Sequence, residues 1–143
     1  MAVHELVKIK ADIGHQLNLL LSSEQQFDDA EIRRLGWEIF YIDDKAIFDE
    51  DSTHFEEAMR KLGCDSFFAA TTLSILADCS NIKAIKFPSN KYAIEKFQDA
   101  NEFEMSLNDC LIFSIPINFA ILRTGEVLHT LYAGPPIFTA CFK

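Results

Sequence analysis

Five acidic residues lie within nine positions in the N-terminal half of the chain: Asp43, Asp44, Asp49, Glu50 and Asp51. Carboxylate oxygens are the ligands that Ca²⁺ and Mg²⁺ prefer, so the first chemistry to consider is a site for a hard cation. A calcium loop needs oxygen ligands at regular alternate positions and a glycine at its sharp turn, and this segment has neither. We therefore predict a solvated acidic loop that holds no metal.

The charge of the whole chain is concentrated around this loop. Between Glu24 and Glu57 there are twelve acidic and three basic residues, a formal charge of −9, which equals the net charge of all 143 residues. A surface of this sign repels the phosphate backbone, so nucleic acid is not expected as a direct partner. A negative face instead favours a positively charged protein.

Aromatic residues interleave with the acidic ones and supply candidate anchors for such a partner. The predicted partner-binding residues are Asp43, Asp44, Asp49, Glu50 and Asp51, with Trp37 and Tyr41. Our first hypothesis is an immunity- or antitoxin-like inhibitor that neutralises a basic toxin, possibly a nuclease, by blocking its active site or surface. The alternatives are a regulatory or small-molecule-binding domain with an apolar pocket, and an acidic surface that serves solubility while the aromatics fill the core.

The cysteines and histidines indicate no metal site and one remote catalytic arrangement. Cys64, Cys79, Cys110 and Cys141 are widely spaced without a C-x-x-C pair, which predicts reduced thiols packed as small hydrophobes. His129 lies in a predicted strand and Cys110 begins an earlier one, so a nucleophile pair is conceivable, with Asp109 orienting the imidazole. A strand histidine is more often structural, so we do not expect an enzyme.

Other familiar functions lack their motifs. The chain has no glycine-rich nucleotide loop, no H-E-x-x-H, no G-x-S-x-G and no EF-hand, so no cofactor is expected. The N-terminus does not have the pattern of a secretory signal, and the charge-free stretches 110–122 and 127–142 are too short or broken by Gly134-Pro135-Pro136. We therefore expect a cytoplasmic protein without a membrane association.

Four helices are predicted from periodicity and end signals. Apolar residues spaced three or four apart predict a first helix that ends near Ser22-Ser23: Leu6, Ile9, Ile13, Leu17 and Leu20. Capping boxes start the next two, Asp28 with Glu31 and Thr53 with Glu56, and the glycines after Leu35 and Leu62 end them. Ser89 is the predicted cap of a fourth helix through Ala93 and Phe97.

Strand signals lie between these helices and dominate the C-terminus. Segments 37–42 and 46–48 predict a hairpin with 43–45 as its turn, and 67–77 predicts a strand followed by a helical turn. Further strands are predicted at 82–87, stopped by Pro88, and at 111–116. The strongest hairpin pairs 119–123 with 127–132 around Thr124-Gly125-Glu126.

The element order predicts one α+β domain over residues 1–143, with a mixed, largely antiparallel sheet, helices packed on it and a C-terminal β-hairpin. Between Cys110 and Phe142 only Arg123 and Glu126 are charged, so this part is expected to supply the centre of the sheet.

Overall fold

The computed structural model describes residues 5–44, 46–97, 109–123 and 129–143, and their strands form one sheet. The strands are β1 Glu5–Lys8, β2 Glu38–Ile42, β3 Ser66–Thr71, β4 Lys83–Pro88, β5 Cys110–Phe113, β6 Ala120–Arg123 and β7 Thr130–Gly134. The helices are α1 Ala11–Leu20, α2 Asp29–Arg34, α3 Asp49–Leu62, α4 Thr72–Ala77, α5 Lys91–Phe97 and α6 Pro136–Thr139, followed by a 3₁₀ turn at Ala140–Phe142.

The sheet has the strand order β1-β4-β3-β5-β6-β7-β2, and every pairing among the described strands is antiparallel. The α+β class with a largely antiparallel sheet is therefore confirmed. β5 takes the fourth of seven positions, as expected for the charge-poor C-terminal part. β6 and β7 form the predicted C-terminal hairpin, with Ala120 opposite Ala133. Its turn, 124–128, is not among the described residues.

The predicted hairpin between 37–42 and 46–48 is wrong. β2 pairs instead with β7 at an edge of the sheet, where Glu38 lies opposite Gly134 and Ile42 opposite Thr130. Residues 46–48 form no strand because Ile47 turns into the core, where it is fully buried. The Thr130 hydroxyl donates a 2.8 Å hydrogen bond to the Asp44 carbonyl. This bond holds the residues that lead into the segment against the first residue of β7.

Two predicted helix starts are also wrong, although both helices exist. Leu6 lies in β1 opposite Ile85 of β4, so α1 begins only at Ala11. A pairing with a strand far along the chain outcompetes the local helical period there. α3 begins at Asp49 instead of near Thr53, whose hydroxyl donates to the Asp49 carbonyl within the helix.

The other helix ends follow local chemistry. The Asp28 carboxylate accepts hydrogen bonds from the amides of Ala30 and Glu31 and caps α2 as predicted. Gly63 ends α3 at φ +74°, a left-handed conformation that glycine tolerates. The predicted cap of α5 at Ser89 is wrong by one residue, because the Asn90 side chain accepts from the Ala93 amide at 2.8 Å.

The sheet separates two cores of different composition. We call one side the aromatic face; α3, α5 and α6 cover it and its buried rings are Phe55, Phe67, Phe87, Phe97, Phe119, Tyr132, Phe138 and Phe142. We call the other side the aliphatic face; α1, α2 and α4 cover it with mostly Leu, Ile and Ala side chains. Strand alternation divides the two, so Ile112 of β5 contacts the aromatic core and Leu111 the aliphatic one.

Candidate partner-binding site

Four of the five acidic residues of the predicted site converge on the first turn of α3, which a carboxylate from α5 holds in place. Glu95 accepts hydrogen bonds from the Asp49 amide at 2.9 Å and from the Ser52 hydroxyl at 2.7 Å. These bonds, that of Ser52 first, hold the pKa of Glu95 below its ordinary value. Asp49 adopts φ +52°, which Asp tolerates better than most residues. The helix start is thus built from two segments far apart in sequence.

Three of the carboxylates are close enough to repel one another. Partial burial raises the pKa of Asp51, and the negative charges of Asp44 and Glu50 raise it further, while His54 acts in the opposite direction. Asp44 and Glu50 are exposed and Asp51 is half-buried. We call Asp44, Glu50 and Asp51, together with Asp49 and Glu95, the acidic cluster. The positive end of the α3 dipole favours carboxylates at Asp49, Glu50 and Asp51.

A buried tyrosine lies beneath this cluster and joins it to the aromatic core. Tyr132 is fully buried, and its ring centroid lies 4.2 Å from that of Phe142. Burial raises the pKa of Tyr132 far above its ordinary value, and the charges of Asp51 and Asp44 add to this, with Arg123 opposing them. The phenol therefore stays neutral, and packed rings lie beneath the cluster.

Several of the molecule's cations pair with carboxylates outside the acidic cluster. Within residues 5–44, 46–97, 109–123 and 129–143, the ion pairs that the structure shows join Glu31 to Arg34, Glu38 to Lys143, and Glu57 to both Arg60 and Lys61. None of those ion pairs includes a carboxylate of the acidic cluster. Two positive groups still act on the cluster, His54 on Asp51 and Lys91 on Glu95, and they reduce its negative charge without forming an ion pair shown there.

Tyr41 and Asp43 form a second group at the same end of β2. The Tyr41 hydroxyl donates to Asp43 at 3.1 Å, and the ring lies 4.8 Å from the imidazole of His129. Tyr41 lies opposite Leu131, which packs against the aliphatic core, so this group faces away from the acidic cluster across the sheet. The Tyr41 side chain is 53% exposed and remains available for contact.

Trp37 does not join either group. It precedes β2 at the opposite end from Asp43, about 13 Å from Tyr41 at the usual rise of a strand. Its half-buried ring packs against the aliphatic core and lines a small cavity with Leu19 and Leu35. The structure thus brings Asp44, Asp49, Glu50 and Asp51 together, places Asp43 and Tyr41 at the neighbouring edge, and leaves Trp37 apart.

The structure does not bring Cys110 and His129 together. Cys110 is fully buried on the aromatic face of β5, whereas the His129 ring lies against Tyr41 on the opposite side of the sheet. The Asp109 carbonyl accepts from the Thr72 amide at 3.3 Å, next to the start of α4. The three residues therefore do not form the nucleophile, base and orienting group that this chemistry needs.

Two cavities bear on the small-molecule alternative. The one beside Trp37 has a volume of about 100 Å³, well below the 300 Å³ or so of a typical ligand pocket. The other, about 440 Å³, is an open polar groove between α3 and the segment that leads into α5, lined by Glu56, Arg60, Gly63, Cys64, Asp65 and Ser89. Neither matches the enclosed apolar pocket that the alternative predicts.

Metal and membrane chemistry receive no support from the described residues. In that part of the chain, no group of three or more His, Cys, Asp or Glu side chains is arranged to hold a metal ion. None of the helices there has both the length and the apolar composition needed to span a bilayer.

Sequence reasoning missed Glu95 as a member of the site. It lies on α5, more than forty positions after Asp49, and no local pattern marks it as the cap of α3. Only the packing of α5 beside α3 on the aromatic face creates this contact. Comparison of the chain with protein families, curated proteins and solved structures gives no match, so the interpretation of the site rests on its geometry.

Proposed function

We propose that this chain is a binding protein whose acidic cluster docks on a positively charged protein, and that it acts in the cytoplasm as an immunity- or antitoxin-like inhibitor of a basic toxin. The observation that carries the proposal is the convergence of Asp44, Glu50 and Asp51. The pKa of Asp51 is raised first by partial burial and then by the charges of Asp44 and Glu50. A cation from a partner would offset the part that comes from charge repulsion and would gain binding energy in doing so.

The anchoring of the cluster supports specific recognition over general solubility. Glu95 fixes the first turn of α3, and the helix buries Phe55 and Met59 in the aromatic core. Carboxylates held on a rigid element lose little freedom on binding, which favours affinity. A nuclease active site binds phosphates with cationic side chains, so carboxylates at a fixed spacing are suitable substitutes for its substrate.

Exposed aromatic side chains near the charge would complete such an interface. Phe48 is 41% exposed and directly precedes Asp49, and Tyr41, at the neighbouring edge of the sheet, is 53% exposed. Aromatic side chains of this kind are enriched among the residues that dominate binding energies. The charges would then speed association, and the aromatic contacts would slow dissociation.

The proposal is tested with two isosteric triple variants that change the charge equally. The first replaces the cluster charges: Asp44→Asn, Glu50→Gln and Asp51→Asn. The control replaces exposed carboxylates on the α1 and α4 side: Asp12→Asn, Glu24→Gln and Asp78→Asn. Each protein serves as bait in the source cell, and bound proteins are identified by mass spectrometry. We expect the native chain and the control to retain a basic protein that the cluster variant loses.

Two measurements on the recovered protein then separate inhibition from simple binding. Its association rate should fall as salt rises, because exposed charges are screened beyond a Debye length of about 10 Å at 0.1 M. Its expression alone should arrest growth, and co-expression with the native chain should restore it. A partner without excess positive charge, or equal retention by both triple variants, would contradict the role of the acidic cluster.

A further inference from the structure

A thiol and an imidazole meet on the aliphatic side of the molecule, far from the acidic cluster. The Cys79 sulfur lies 3.4 Å from Nδ1 of His15, within hydrogen-bond distance for sulfur. His15 is exposed on α1, and Cys79 is half-buried in the segment after α4. The two residues are 64 positions apart, so the contact is a product of the tertiary fold.

Three contacts hold the two segments in this arrangement. Gly14 lies against the carbonyl oxygen of Cys79 so closely that any side chain at this position would clash with it. The Asn18 side chain donates to the Ile75 carbonyl at 3.2 Å, which ties α1 to α4. The Ile9 amide donates to the Ile82 carbonyl at 2.9 Å. The pair therefore lies between fixed backbone contacts on both sides.

The other cysteines have different surroundings. Cys110 is fully buried in the aromatic core, where a reagent in solution does not reach it. The Cys141 thiol donates to the Ile137 carbonyl at 3.5 Å, so its partner is a backbone acceptor and not a base. Cys64 is half-buried in the polar groove with Glu56 and Asp65. Cys79 is the thiol for which the described structure shows an imidazole as hydrogen-bond partner.

We propose that Cys79 is a site of thiol modification by small-molecule disulfides, with His15 as its base. The Cys79 proton moves to Nδ1 of His15, and the sulfur attacks one sulfur atom of the disulfide. A new bond forms between Cys79 and that sulfur while the original sulfur–sulfur bond breaks. The leaving half departs with the bonding electron pair and takes up a proton, which His15 returns directly or through solvent, so the imidazole is neutral again. Cys79 is oxidised, the leaving half is reduced, and no further reactant is needed.

The test uses the native 143-residue chain and dithiodipyridine, an uncharged disulfide whose released thiopyridone absorbs in the near ultraviolet. Mass spectrometry of peptides assigns the rate to each cysteine. We expect Cys79 to react about tenfold or more faster than Cys64 and Cys141, because the imidazole beside it can accept the thiol proton as the sulfur attacks. Equal rates at Cys79, Cys64 and Cys141 would overturn the proposal without any variant.

Variants of α1 then show whether His15 acts as the base or whether other surroundings of Cys79 make it reactive. His15→Gln should slow Cys79 to the rate of Cys64, whereas Gln16→Ala, a neighbouring exposed change, should leave the rate of Cys79 unaltered. Added imidazole should restore the reaction rate of Cys79 in His15→Ala, because the exposed site admits a free base. Free imidazole would not replace a histidine whose role is purely structural. An unchanged Cys79 rate in His15→Gln would remove His15 from the mechanism.

Discussion

The two faces of the sheet differ in how their helices are attached. On the aromatic face, helix rings pack on rings of the sheet side, with centroids 4.9 Å apart between Phe138 and Phe119 and 5.5 Å between Phe55 and Phe67. On the aliphatic face, the helices pack mostly Leu, Ile and Ala side chains, and polar bonds assist, such as the 2.6 Å bond from the Thr72 hydroxyl to the Gln25 side chain. The aromatic face carries the acidic cluster, and the aliphatic face carries the Cys79 thiol.

The acidic cluster and the Cys79 thiol therefore each lie in surroundings that suit their chemistry. Carboxylates that repel one another need a rigid support, since otherwise they would move apart and lose their combined field. α3, with 14 residues and four buried side chains, gives that support. A thiol that reacts with a small molecule needs access instead, and the shorter helices α1 and α4 leave Cys79 half-exposed between them.

The largest expected effect tests the strength of the aromatic packing. Phe55→Ala should lower the free energy of unfolding by about 3–5 kcal/mol, because it leaves a cavity and removes the contacts to Phe67 and Phe119. Leu17→Ala, equally buried on the aliphatic face, should cost less, at about 2–4 kcal/mol. Denaturant unfolding of both variants measures the difference. A greater loss for Leu17→Ala would remove the contrast between the faces.

A smaller loss of stability is expected when the N-terminal cap of α5 is removed. This helix carries Glu95, the member of the acidic cluster that holds the first turn of α3. Asn90→Ala should destabilise the protein by about 1 kcal/mol, because it removes the acceptor for the Ala93 amide. Ser89→Ala is the matched control and should change stability by less than about 0.5 kcal/mol. Thermal and denaturant unfolding measure both. If Ser89→Ala had the greater effect, the cap predicted from the sequence would be the true one.

The smallest expected effect is a change in how the free energy of unfolding depends on pH in the acidic range. The pKa of Glu95 is lowered in the folded state, so its contribution is present above the ordinary value of 4.5 and is lost as pH falls through the folded value. Glu95→Gln keeps an acceptor but loses the charge, so it should lower stability less than Asn90→Ala does. The difference from the native chain should be largest above pH 4.5 and shrink below it. A difference independent of pH would show that the charge of Glu95 plays no part.

Local sequence signals predicted the elements whose ends are determined by their own residues. The Asp28 cap and the glycine after Leu62 need only neighbouring backbone groups, and both were predicted at the correct residue. The strand and helical turn between Phe67 and Ala77 also followed from local composition. Errors arose where a distant segment decides the structure, as when β4 pairs with Leu6 and turns the expected helix start into β1.

The candidate site divides in the same way. Its acidic residues could be predicted from the sequence because they lie within nine positions, and most of them do converge on α3. Glu95 and the contact of His15 with Cys79 were not visible, since each depends on segments that meet only in the folded sheet. Gly14 disfavours a helix by local propensity, and the structure shows that its missing side chain admits the backbone of Cys79.

The position of β2 in the sheet has a consequence for how the protein acquires its fold. β2 is synthesised before β3, β4, β5 and β6, yet its partner is β7, with Phe40 opposite Tyr132. The segment leading into α3, fixed by the bond between Thr130 and Asp44, must wait for the same late strand. Assembly of the acidic surface therefore follows the synthesis of β7, and the long separation between partners slows folding relative to a fold built from local contacts. A nascent chain released early would carry the charges without their arrangement.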